Sequence, residues 1–172
     1  MNVVRLLVLG ALRETGPAHG YAIRQLLDDW QVQTWTNLRS GSVYHALQQM
    51  EKEGLIVAGT PEIGDRGPGK TRFTIAGDGE AAFRNLLREA LGSFDLIELS
   101  AGIAFLDALP EEGANLLAET QARLEENASR LQAMAASAPT PSGTPRTQDL
   151  LALWGANLAA TAESLKTILA RA

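Results

Sequence analysis

Apolar and polar positions divide the chain into blocks. Residues 2–13 are almost uniformly apolar, as expected of a helix buried on most sides, and Gly16-Pro17 in the following ETGPAHG breaks it. In AHGYAIRQLLDDW the apolar side chains at Tyr21, Ile23, Leu26, Leu27 and Trp30 come close to helical periodicity. QVQTWTNLR carries β-branched residues without a helical stripe, which predicts a connector holding a short strand. Then SGSVYHALQQMEKEGLI, residues 40–56, places Val43, Leu47 and Met50 at intervals of four and three with Ala46 beside them. That is one buried stripe on a third helix, with Ser40 as its candidate N-cap and Gly54 as its stop. LIVAGTPE and TRFTI predict two strands, and Gly64, Gly67, Pro68 and Gly69 supply the turn of a hairpin between them.

Helical patterning resumes from Asp78 to Leu91 and again over SFDLIELSAGIAFLDAL. Pro110, Glu111 and Glu112 mark the start of a helix running to about Ala136, with Leu117, Leu124 and Leu131 one heptad apart. APTPSGTP (138–145) is a linker by composition, and Thr147 can cap a last helix whose stripe includes Leu150, Leu151, Trp154, Leu158 and Leu165. Three helices, a hairpin and further helices follow the plan of a winged helix-turn-helix with an all-α tail. The expected fold is mostly α: a winged helix-turn-helix domain with a two-stranded wing over residues 1–92, then an all-α C-terminal dimerisation region over residues 93–172 with a loop at 138–146.

Composition and charge narrow the function. With 172 residues, 45% hydrophobic and 20% charged, the chain fits one ordinary domain or a small domain with a helical appendage. It has no cysteine, and His19 and His45 lie 26 positions apart, so no disulfide framework, metal site or cofactor is expected. VVRLLVLGAL resembles a signal-peptide core, but Arg5 interrupts it, no clear cleavage site follows, and the run is too short to span a bilayer. A buried first helix in a cytoplasmic protein without a membrane partner is the expectation. Net charge is −5, and the deficit falls after Gly92: ten Lys and Arg balance ten Asp and Glu before Ser93, against five and ten from there on. Any nucleic-acid role must rest on a local basic surface in the first half.

The third helix supplies the chemistry. With its stripe turned inward, Ser42, His45, Gln49 and Lys52 face outward, flanked by Gln48. A recognition helix needs such an apolar anchor and short polar side chains toward the major groove. Glutamine reads adenine's edge in a bidentate manner, and serine meets a base or a phosphate. Tyr44 falls at the stripe's edge, Ser40 starts the helix, and Arg66, Lys70 and Arg72 put cations on or beside the wing tip. Such cations supply salt-dependent affinity for phosphates. On surface grounds alone, the same Ser, Gln and Lys residues would simply be solvated.

The stretches GPAHGYAIRQLL, SGSVYHALQQMEKEGLI and GPGKTRFTIAGDG, in that order and spacing, resemble the PadR family of transcription regulators. The resemblance covers about half the chain. It implies a DNA-binding repressor that engages a palindromic operator as a homodimer, with phosphate contacts from His19 and Tyr21. It also implies release by a small aromatic effector, for which Trp154, Phe94 and Phe105 are the candidates here. A tryptophan in an apolar stripe is more often core. The sequence departs from the family where His45 replaces a usual proline, where Ala76 replaces a usual threonine, and where Glu62 and Asp65 bring acid near the wing.

Two rivals remain. One is a winged-helix protein-interaction module without DNA binding, favoured by the acidic balance. The other is a nucleotide-binding protein using Gly64–Thr71, which satisfies GxxxxGK[ST] literally but needs a helix after Thr71, where RFTI predicts a strand. No nucleophile–base pair or carboxylate cluster stands out, so no enzyme is expected.

Overall fold

The computed structural model describes residues 1–61, 71–137, 144 and 146–171. In chain order these form α1 (Val3–Thr15), β1 (Ala18–His19), α2 (Gly20–Asp29), a 3-10 turn (Val32–Thr34), α3 (Ser40–Lys52), β2 (Ile56–Ala58) and β3 (Arg72–Ile75). Then come α4 (Gly77–Leu91), α5 (Leu96–Ala104), a second 3-10 turn (Leu106–Ala108), α6 (Pro110–Ala136) and α7 (Thr147–Leu169). They form two compact units: Met1–Ala90 with Asp95–Phe105, and Leu91–Phe94 with Leu106–Ala172. By its contacts, α5 groups with the first unit.

The first unit is built on α1. Asn2 caps it, its side chain accepting the Arg5 N–H at 3.2 Å, and every residue from Leu6 to Leu12 is buried. Ile23 and Leu27 of α2, Val43, Leu47 and Met50 of α3, and Phe83 and Leu87 of α4 complete this core. Each such side chain contributes about 1.5–3 kcal/mol by leaving water. The stripe of α3 is thus its anchor.

The sheet has three strands, all antiparallel in the order β1-β3-β2. β1 pairs Ala18 with Phe73 and His19 with Arg72, so the two-stranded wing of the sequence gains a third strand. Two residues after a Gly-Pro turn carry no alternation from which to foresee it.

Three local expectations need correction. QVQTWTNLR holds no strand. Gln31 adopts a left-handed conformation (φ 57), and the Thr34 and Thr36 hydroxyls donate to the carbonyls of Gln31 and Val32 at 2.7 and 3.0 Å. Its β-branched residues close a tight turn instead. Arg39, with extended backbone, and not Ser40 flanks the start of α3, so Ser40 is already the first helical residue and its hydroxyl accepts from Arg24 Nη1 at 3.1 Å. Thr147 is likewise the first residue of α7, and its hydroxyl donates backward to the Thr144 carbonyl at 2.9 Å. At the other end of α3, Gly54 (φ 75) donates to Glu51 O at 3.0 Å and Leu55 to Met50 O at 2.9 Å. This pair of hydrogen bonds is the Schellman closure, and it delivers the chain into β2.

In the second unit α6 and α7 run in opposite directions, with Gly155 against Ala128 and Gln132, and Lys166 Nζ 2.8 Å from Glu125 Oε1. Leu117 and Leu124 are fully buried and Leu131 half-buried, so the heptad seam is closed within one chain. The large apolar side chains left exposed on α7 are Leu150, Leu153 and Trp154. Among the described residues, no helix is long and apolar enough to cross a membrane.

Candidate nucleic-acid interface

With Val43, Ala46, Leu47 and Met50 turned into the core, the rest of α3 follows from about 100° per residue. Opposite the stripe stand Gly41, His45, Gln48 and Lys52, all exposed. Ser42 and Gln49 occupy one flank and are half-buried; Tyr44 and Glu51 occupy the other and are exposed. Gln48, expected at the flank, is therefore on the open face, and Gln49 turns toward α1.

Each flank opens into a hollow. Beside Tyr44, a hollow of about 220 Å³ is bounded by His19, Gly20, Tyr21, Thr71 and Phe73. The β1–β3 pairing fixes it: His19 Nδ1 donates to the Thr71 carbonyl at 3.1 Å, and its ring stacks on Tyr21 with centroids 5.4 Å apart. Gly20 permits the close approach, since a Cβ there would fall 2.9 Å from Tyr44 Cε1. Two exposed phenols and an imidazole thus meet beside α3. On the opposite flank, a groove of about 450 Å³ separates α3 from the start of α1, lined by Asn2, Arg5 and Glu53 with Ser42, His45 and Gln49.

Ser40 is exposed at the helix start, holding Arg24, which also reaches Asp28 at 3.7 Å. Arg72 is exposed at the wing's root. Arg66 and Lys70 lie outside the described residues, as do Glu62 and Asp65. So does most of Gly64–Thr71; Thr71 itself leads into β3, not into the helix whose N-terminus a phosphate-binding loop requires.

The three aromatic candidates separate. Phe105 is core: 6% exposed, in the first unit, edge-on to Phe83 at 5.6 Å and to Trp30 at 5.8 Å between centroids. Expected at an effector site, Phe105 is instead a packing residue of this core. Phe94, in the second unit, is exposed with the Arg123 guanidinium carbon 4.7 Å from its ring centre. Trp154 is 61% exposed on α7. Sequence patterning missed Asn2 and Arg5; the available signal was a lone cation inside an apolar run.

An open polar helix face, an aromatic hollow and a small winged sheet define a winged helix-turn-helix domain, here with a helical tail. Residues 8–85 match the model of the transcriptional regulator PadR-like family, and that segment is PadR-like. Among solved structures, Bacillus subtilis PadR in complex with operator DNA is similar at 20% identity and a TM-score of 0.48, covering 100% of this chain and 99% of that one. The protein smu.1604c from Streptococcus mutans UA159 is similar at 24% identity and a TM-score of 0.44, covering 96% and 98%. No curated protein matches.

Proposed function

We propose that the protein is a transcriptional repressor that lays α3 in the major groove of a palindromic operator as a homodimer. The observation that carries this reading is the open face of α3, where Gly41, His45, Gln48 and Lys52 are exposed opposite a fully anchored stripe. A helix about 10–12 Å across fits a groove about 12 Å wide. Gln48 and Gln49 would read adenine edges, Lys52 a guanine, and His45 a base nearby. Ser40, Ser42, Tyr44, His19 and Tyr21 would take phosphates, with Arg66, Lys70 and Arg72 adding charge from the wing.

A single winged helix reads few base pairs, whereas a symmetric dimer reads two half-sites about 34–36 Å apart. With the Leu117–Leu124 seam consumed inside the chain, the exposed Leu150, Leu153 and Trp154 support a dimer formed through α7. Residues 1–92 would then bind DNA and residues 93–172 pair the chains, in the cytoplasm. A small aromatic effector meeting Trp154 or Phe94 would release the operator by favouring another dimer geometry.

A gel shift with DNA from upstream of the encoding gene tests the reading. The expected result is a discrete complex that weakens with salt and resists mixed-sequence competitor. Absence of a complex with any duplex at low salt refutes it and leaves a winged-helix module that works through protein contacts.

A further inference from the structure

Arg5 is the only charged residue in the first two turns of α1, and the seven residues that follow it are all buried. Its guanidinium reaches the C-terminal cap of α3, where both carboxylate oxygens of Glu53 accept from it, Nη1 to Oε1 at 3.2 Å. The two side chains are 26% and 44% exposed. An ion pair this open to water adds little to folding. Its place on the surface has more to explain.

That place is the groove beside Ser42, His45 and Gln49, on the flank of α3 opposite the Tyr44 hollow. A helix filling the major groove has a sugar–phosphate strand along each of its sides. His19, Tyr21 and Tyr44 offer hydrogen-bonding groups to one strand. The second strand would pass the Ser42–Gln49 flank, where Arg5 projects beside the positive end of the α1 dipole and no acid occupies the first turn of that helix.

The geometry points to Arg5 as a phosphate contact to this second strand, paired with Glu53 while the protein is free, an inference that rests on the DNA-binding reading of α3. The guanidinium fork can grip two phosphate oxygens as it now grips two carboxylate oxygens. Glu53 neutralises the cation in the free protein and competes with the phosphate for it in the complex. Arg5 touches no base in this arrangement and tunes affinity rather than sequence preference.

The test is fluorescence anisotropy of full-length protein on the upstream fragment across a salt series, using wild type, Arg5→Ala, Arg5→Lys and Glu53→Gln. One phosphate contact carries a slope of about 0.9 in log K against log salt, and a homodimer loses two with Arg5→Ala, so the deficit should be about twelvefold larger at 50 mM than at 200 mM salt. Arg5→Lys should retain most of the slope, and Glu53→Gln should bind more tightly than wild type. An Arg5→Ala variant that binds with the wild-type slope overturns the assignment. If that variant does not fold, Glu53→Gln decides: tighter binding supports the contact, and unchanged or weaker binding overturns it. Wild-type protein that binds no duplex overturns the DNA reading together with this one; normal wild-type binding beside an unchanged Arg5→Ala slope overturns this one alone.

Discussion

Gly79→Ala tests how the wing is joined to α3. Gly79 lies in the first turn of α4, and a Cβ there would fall 2.9 Å from Ile75 Cγ1 and 3.0 Å from the Leu55 carbonyl carbon, closer still to the Leu55 oxygen. That oxygen is not free to swing aside. It accepts the Ala76 N–H at 2.9 Å, while the Leu55 N–H closes α3 on Met50 O at 2.9 Å. The new methyl is therefore about 1 Å too close to both neighbours and must push α4 off the α3–β2 corner. Overpacking of this kind costs about 1–3 kcal/mol, and weakening the Ala76–Leu55 bond adds about 0.5–1.5 kcal/mol. Alanine's better helix propensity offsets about 1 kcal/mol at most. The net is destabilisation by about 0.5–3.5 kcal/mol, a fall of several degrees in Tm at mid-range for a chain of this size. Thermal melts followed by circular dichroism measure it. A variant melting at or above the wild-type temperature would mean that propensity wins and that the corner is slack.

Two further predictions address the helix face and the tail. Gln48→Ala should lose about 1–3 kcal/mol of discrimination at one operator position in a competition series, and Gln49→Ala less, because Gln49 is half-buried. Equal loss on every sequence would remove Gln48 from base reading. In the tail, the hydrogen bond from Lys166 and then that from Gln121 hold the Glu125 carboxyl below its ordinary value. A depressed carboxyl stabilises the fold above its unfolded pKa and ceases to do so as pH falls through its folded value. Melting curves of wild type and Lys166→Ala should thus differ slightly at neutral pH and converge in acid; a constant gap would contradict the sign.

The parts of the fold legible in the sequence are those decided locally. Val43, Leu47 and Met50 repeat at helical spacing because one face of α3 meets the core, and Gly54 stops the helix because it alone there takes φ 75 without strain. The third strand was hidden, since Ala18 and His19 become a strand only when Phe73 and Arg72 come beside them. Ser40 has the chemistry of a cap, but it is already the first helical residue and its hydroxyl accepts from Arg24 of α2. A heptad of leucines looks the same whether its partner is another chain or α7. Phe105 illustrates a similar ambiguity: apolar patterning does not distinguish a ring closed off by Phe83 and Trp30 from one left open to a ligand. Arg5 was visible as an interruption, but its partner Glu53 lies 48 residues away. The candidate site is therefore half local and half tertiary: the stripe of α3 announces a helix with a second face, while both flanking hollows exist only after folding.

In the proposed function the exposed side of α3 meets a DNA duplex. Backbone amide chemical-shift mapping, with the upstream fragment titrated into isotope-labelled protein, tests it most directly. The prediction is that the largest changes fall on residues 40–52, with secondary changes at His19, Tyr21 and Arg72 and at the start of α1. Changes confined to α6 and α7, with α3 unmoved at saturation, would contradict it.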